Sequence, residues 1–464
     1  MLLAFLAIGI TKVSAQDDFM MGPPPGGFGQ EMQDGEGGPG MQPNGKAGPD
    51  GGGQSYVSAT GVKTYSGKKI VSGKTIRSSS EDKSAVLATS GTLDITNCIL
   101  SNTADASSTD DASFYGSNAV LLAQPSPKKN KVVINSSHNS IKGIGKGANG
   151  IFAYGGGTVN SANDYIYQTG GNARGVLCSG GGTVNIENDT IVTVSGSSSC
   201  IATDRGGGNI NIRGGLYTCN GSNSAGLYST GKINAADATF ISNGGEAIVI
   251  EGTNYVTTNN CNFTSNKDKW GVLLYQSFSG DAEVGSEATL SMTGGSLTYE
   301  GKKTGMFYNT NSTDSLYLNN VKLNNASDTI FCAKKGGWGN RDTARRGGTL
   351  GVLCENQKLE GIVYADANSC IKLTLTKGSI FSGCIDPKKE AKYIRLQIDD
   401  NSTWNLSADS FINGELIFNS TPTGTNTINN IEGNGHNVYY SAAKNKALGS
   451  SSFPLKGGGC LMPM

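Results

Sequence analysis

The sequence predicts an all-β fold, a right-handed parallel β-helix (solenoid) with about 25 residues per coil and three strands per coil. Three observations carry that expectation. GGGTVN occurs at residues 155–160 and again at 180–185, GGGNIN follows at 206–211, and a worn copy, TGKIN, ends at Asn234; Asn160, Asn185, Asn211 and Asn234 are 25, 26 and 23 residues apart. Each copy follows a short apolar piece: GIFAY from Gly150, GVLCS from Gly175, CIATD from Cys200 and GLYST from Gly226. The composition, with 68 Gly and only 16% charged residues, opposes long helices.

Taken along the chain, residues 1–15 read as a signal peptide. An apolar run over residues 2–10 leads to Val13-Ser14-Ala15, a small-residue cleavage pattern. The run is too short to span a bilayer and no later segment is long enough, so a secreted or cell-surface protein is expected. Residues 16–55 are rich in Gly, Pro, Met and Gln and lack apolar periodicity, which predicts a disordered linker. Residues 56–386 carry recurrent strand-like pieces and read as the β-helix, about a dozen coils at 20–30 residues each. Residues 387–464 read as the last coils and a C-terminal cap that includes Leu416, Ile417 and Phe418.

Within one coil, residues 175–200 divide into GVLCS, TVNIE and TIVTV, three strands separated by Gly-rich or polar turns. Stacking one coil on the next places equivalent residues about 4.8 Å apart. Ile151, Val176, Ile201 and Leu227 then form one internal row, and Val159, Val184, Ile210 and Ile233 another. Asn160, Asn185, Asn211 and Asn234 are expected to form a structural ladder at corners, where Asn tolerates left-handed backbone. Asp94 takes the same slot in an earlier coil.

The matching pieces ASFYGSNAVLLA, DRGGGNINIRGG, AIVIEG and LLYQSFSGDAEVG, together with TWNLSADS and GNGH, resemble secreted adhesin-like right-handed parallel β-helix proteins of bacteria, in the pectin-lyase-like superfamily. The resemblance runs from about Tyr56 to the C-terminus. It implies an exported scaffold and transfers no catalytic residue.

Lys plus Arg equals Asp plus Glu, so no global field draws nucleic acid. The ten Cys form no CxxC pair, which argues against a zinc site and leaves buried thiols or disulfides. No cofactor is expected, and Ca²⁺ has only Asp281 and Glu283 as a candidate pair on one strand face. Asp204 and Arg205 precede a Gly turn and read as a polar corner or a glycan contact. The insert KKGGWGNRDTARRGG gathers Lys335, Arg341, Arg345 and Arg346 around Trp338 and reads as a ligand loop or a solvated loop. Asp110-Asp111 and Asp399-Asp400 are adjacent in sequence, so on a strand they point to opposite faces and make no catalytic dyad. The expected function is non-enzymatic binding of glycans or surface proteins by an adhesin-like rod. The alternative is a polysaccharide lyase or glycoside hydrolase.

Overall fold

The computed structural model describes residues 58–126, 130–277, 282, 287–337, 347–420, 422 and 426–464. The chain is a β-solenoid of about 15 turns, some 25 residues apart, with almost no helix. Its strands stack into three long sheets of nineteen, fourteen and ten strands, called A, B and C here. One coil shows the plan: Val176–Ser179 lies in sheet A, Gly182–Glu187 in sheet B and Thr190–Thr193 in sheet C. Both expected internal rows are in register. Ile151 pairs with Val176, Val176 with Ile201 and Ile201 with Leu227; Val159, Val184, Ile210 and Ile233 align in the same way.

The turn from sheet A to sheet B explains the repeated glycines. Gly180 and Gly181 adopt φ of 55° and 79°, a left-handed conformation that Gly reaches without Cβ strain. Gly182 is needed for a different reason: a Cβ there would lie 2.3 Å from the Ala153 carbonyl oxygen of the coil below.

Sheets B and C alternate buried and exposed residues, the pattern of a sheet with one wet face. Sheet A does not. Val176, Leu177, Cys178 and Ser179 are all buried. The inward residues join the main core, while the outward ones form a second apolar cluster that includes Leu87, Leu122, Phe152, Leu177, Tyr228 and Leu273. These belong to one continuous row, paired coil to coil from Leu87 to Tyr364. A seven-residue helix, α1 (Thr109–Tyr115), covers part of this row. Ser108 caps it by accepting the Asp111 N–H, and Gly116 ends it in the left-handed region. Its buried side holds Phe114, whose carbonyl accepts the Ser179 hydroxyl at 2.7 Å, and Ser113, whose Oγ accepts an Arg174 guanidinium N–H at 2.6 Å.

Three strands per coil hold as far as Lys322–Asn325, the last strand of sheet C. Beyond it the coils simplify. Lys358–Ala365 bends at Gly361 (φ 124°), and both its halves pair within sheet A. The stack continues past residue 387, where the last coils were expected, and makes about 15 turns in all. Leu416–Phe418 is the last strand of sheet B, parallel to Tyr393–Ile398. The chain closes with an antiparallel pairing of Phe453–Lys456 against Cys460–Pro463. All ten Cys are free thiols and eight are buried. No helix among the described residues is long and apolar enough to cross a membrane.

Candidate functional site

The most regular polar surface is the outer face of sheet B. Asn160 pairs with Asn185, Asn185 with Asn211 and Asn211 with Asn234. Each Nδ2 donates to the Oδ1 of the preceding coil: Asn234 to Asn211 (2.9 Å), Asn211 to Asn185 (2.9 Å), Asn185 to Asn160 (2.8 Å) and Asn160 to Asn135 (2.8 Å). Asn135 in turn donates to Asp94 Oδ1 at 2.7 Å, so the carboxylate terminates the amide ladder. These Asn are not at corners, as the sequence suggested. They lie mid-strand and point outward, because the strand alternation that buries Val184 and Ile186 turns Asn185 to solvent. The left-handed corner residues are others, among them Asn97, His138, Asn163, Asn188 and Asp237.

A shallow trough of about 540 Å³ runs beside the ladder. Asn135, Asn160, Asn185 and Asn211 form one wall; Ser137, Ala162, Glu187 and Arg213 form the other. A primary amide has two N–H groups and two acceptor lone pairs, and the ladder uses one of each. Every coil thus offers one further donor and one further acceptor, repeated at about 4.8 Å. Glu187 and Arg213 are paired in register and balance in charge. A row of fixed amides without net charge fits hydroxyl-rich ligands and has no preference for a polyanion.

Behind this wall, at the corner between sheets B and C, lies a buried polar column that the sequence did not reveal. Asp189 Oδ1 accepts the Asp164 N–H (2.8 Å), Asp164 Oδ1 accepts the Asn139 N–H (2.7 Å), and Asn139 Oδ1 accepts the Cys98 N–H (2.8 Å). Ser161 Oγ lies within hydrogen-bond distance of both carboxylates, at 2.8 Å from Asp164 Oδ2 and 2.5 Å from Asp189 Oδ2, and its single proton serves one of them at a time. Burial raises the Asp164 carboxyl above its ordinary value. Burial also pushes Asp189 up to about 7, with the Asp164 charge adding to the rise and the Ser161 bond opposing it. Both side chains are sealed from the trough, at 1% and 0% exposure, which assigns them to holding the corner. The sequence signal was present as Asn163-Asp164 and Asn188-Asp189 one period apart, but a polar pair after a strand reads equally well as a solvated turn.

The remaining candidates are dispersed. Asp204 is buried beside sheet A, where its Oδ1 accepts the Arg205 N–H at 2.7 Å, and the Arg205 guanidinium lies 4.0 Å from the Phe114 ring centre. The pair thereby ties its corner to helix α1. Asp110 and Asp111 are exposed in the first turn of that helix. Asp399 accepts the N–H groups of Lys377, Asn401 and Ser402 and shapes a turn. Lys335 is exposed, with its backbone N–H bonded to Asp366 Oδ2 at 2.8 Å. Trp338, Arg341, Arg345, Arg346, Asp281 and Glu283 lie outside the described residues. Among the described residues no group of three or more His, Cys, Asp or Glu is placed to hold a metal ion.

Comparisons with protein-family models, with curated proteins and with solved structures found no match to this chain.

Proposed function

We propose that this chain is an exported, adhesin-like β-helix that binds hydroxyl-rich, uncharged glycans lengthwise along the trough of sheet B, without chemical conversion. The observation that supports this reading is the hydrogen-bonded Asn ladder. Its amides are held in place before a ligand arrives, so binding freezes few rotamers. Its spacing of about 4.8 Å is close to the length of one pyranose unit, so an extended polymer meets the same contacts at each coil. Individually weak contacts repeated along a rod add to useful avidity.

The test is a glycan array followed by calorimetry, comparing the unaltered chain with Asn160→Ala/Asn185→Ala/Asn211→Ala. Loss of three donor–acceptor sites lowers affinity by roughly tenfold or more at about 0.5–1.5 kcal/mol each. A second variant, Trp338→Ala/Arg345→Ala, leaves this binding unchanged if the trough is the site. Binding that disappears with the second variant and survives the first refutes the assignment to sheet B. Release of reducing or unsaturated sugars from the bound polymer replaces the reading with the lyase or hydrolase alternative.

A further inference from the structure

We propose that Asp94 sets the direction in which the whole Asn ladder points, and through it the direction in which a glycan lies along the trough of sheet B. The direction of the glycan rests on the glycan reading above; the direction of the ladder stands without it. Every rung of the ladder is ambiguous by itself. A half-turn of an Asn side chain about its last torsion exchanges Oδ1 and Nδ2 and keeps the same outline. A column of amides can therefore run in either sense, with every bonded N–H pointing toward the first coil or every one pointing away from it. A single reversed rung would set N–H against N–H on one side and oxygen against oxygen on the other. The rungs turn together or not at all.

The ends of the column decide between the two senses, and only one end is asymmetric. Asn135 is in register with Asp94, and Asp94 with Ile70 in the coil below. A carboxylate accepts hydrogen bonds and donates none. Asn135 must therefore turn its Nδ2 to Asp94 Oδ1, to which it donates at 2.7 Å. Its Oδ1 is left facing Asn160, whose Nδ2 donates to it at 2.8 Å, and the same order passes to Asn185, Asn211 and Asn234. Ile70 offers no polar side chain from below. At the other end Asn234 is in register with Thr257, whose hydroxyl can donate or accept and imposes nothing. In the reversed sense Asn135 Oδ1 would face the carboxylate, and a charge-assisted bond would give way to two opposed acceptors. That difference favours the sense found here by roughly tenfold or more. Hydrogen bonds in a chain also polarise one another in a common direction.

The sense of the ladder matters for recognition because it orders the groups a ligand meets. In each coil the donor nitrogen lies toward the first coil and the acceptor oxygen toward the last. A glycan chain has a reducing and a non-reducing end, and turning it around changes which of its hydroxyl and ring oxygens face each rung. A ladder of one sense selects one orientation, and a ladder of both senses takes both. Asp94 does not line the trough. It is a positioning residue that acts through the five Asn above it.

The experiment places isotope-labelled Asn in the full chain, unaltered and as Asp94→Asn, Asp94→Ala and Asp94→Glu. Nuclear Overhauser contacts of the Nδ2 hydrogens show whether each rung points to the preceding or the following coil. The probe ligand is xylohexaose, a neutral pyranose oligomer, with a nitroxide at its reducing end. Asn135 and Asn234 are four coil steps apart, ~19 Å, so a bound nitroxide broadens the signal of one far more than that of the other. In the unaltered chain the expected contacts run to the preceding coil only, and broadening falls at one end of the ladder. Asp94→Asn can donate as well as accept, and Asp94→Ala does neither; both are expected to show contacts in both directions and broadening at both ends. Asp94→Glu keeps an acceptor-only group and restores the single sense. The separate ladder Asn220–Asn243–Asn266 is the internal control and keeps its contacts in every form. One unchanged sense in both Asp94→Asn and Asp94→Ala overturns the proposal. So does broadening at both ends in the unaltered chain. If xylohexaose does not bind the unaltered chain, the reading of the trough as a site for such chains fails, and the Overhauser contacts alone decide the role of Asp94.

Discussion

On sheet B, Val184 is buried while Thr183 and Asn185 reach solvent; on sheet A, one turn earlier in the same coil, Val176, Leu177 and Cys178 are all buried. The two sheets share their period and their inner rows and differ only in what lies outside. Sheet B is half a core with a wet polar ladder on its back. Sheet A is shared between two cores, the second formed by its outward row with Trp270, and helix α1 lies against one of its strands. A solenoid therefore need not be uniform around its circumference. One wall can be specialised for packing and another left free for contact with partners.

The strongest way to break that comparison is to shorten matched outward residues. Leu177→Ala on sheet A is expected to cost about 3 kcal/mol, the loss typical of a buried Leu with its cavity. Thr183→Ala on sheet B is expected to stay within about 0.5 kcal/mol. Urea denaturation of both variants measures the difference, and equal costs would remove the distinction between the walls.

A second prediction concerns the carboxylates hidden behind sheet B. The Asp189 carboxyl titrates near 7 in the folded chain against an ordinary value of 3.8, so the folded state holds its proton to higher pH. Stability from this group is complete below about pH 4 and is lost as pH rises through about 7. Asp189→Asn is expected to raise stability at pH 8 by roughly 2–3 kcal/mol, discounted for coupling to Asp164, and to flatten the profile between pH 4 and 8. Asn139 already occupies the same column and accepts the Cys98 N–H through its amide, so the substitution keeps the corner geometry. Denaturation midpoints across that range check it; a variant no more stable at pH 8 than at pH 4, relative to the parent, contradicts it.

The smallest expected effect sharpens the contrast from the wet side. Asn185→Ala removes the bonds to Asn160 and Asn211 but leaves both partners open to water. Its stability cost is about 1 kcal/mol or less, readable as a small shift of the thermal midpoint. A loss near that of Leu177→Ala would make the ladder a structural necessity and weaken its assignment to binding.

Much of the architecture was legible in advance. The repeat spacing aligned Ile151 with Val176 and Asn160 with Asn185 before any coordinates, because stacked coils place like residues over like. The apolar runs IFAY, VLCS and IVIE also held a clue to sheet A: a strand apolar at successive positions is buried on both faces. The corners were misplaced because Asn is common at left-handed turns, and the repeated Asn was assigned there. Asn163 and Asn188, a few residues later, are the ones with positive φ. Asp164 and Asp189 were missed because nothing local distinguishes a buried carboxylate from a solvated one.

The sequence by itself determined the coil period, the inward rows and the amide ladder, since these follow from short-range periodicity and from matching residues one turn apart. The tertiary structure alone decided which outward faces stay wet. That depends on packing outside the coil itself, such as helix α1 lying against Val176–Ser179 and Trp270 stacking on Tyr308. Burial is a property of what packs above a residue, and no repeat pattern encodes it.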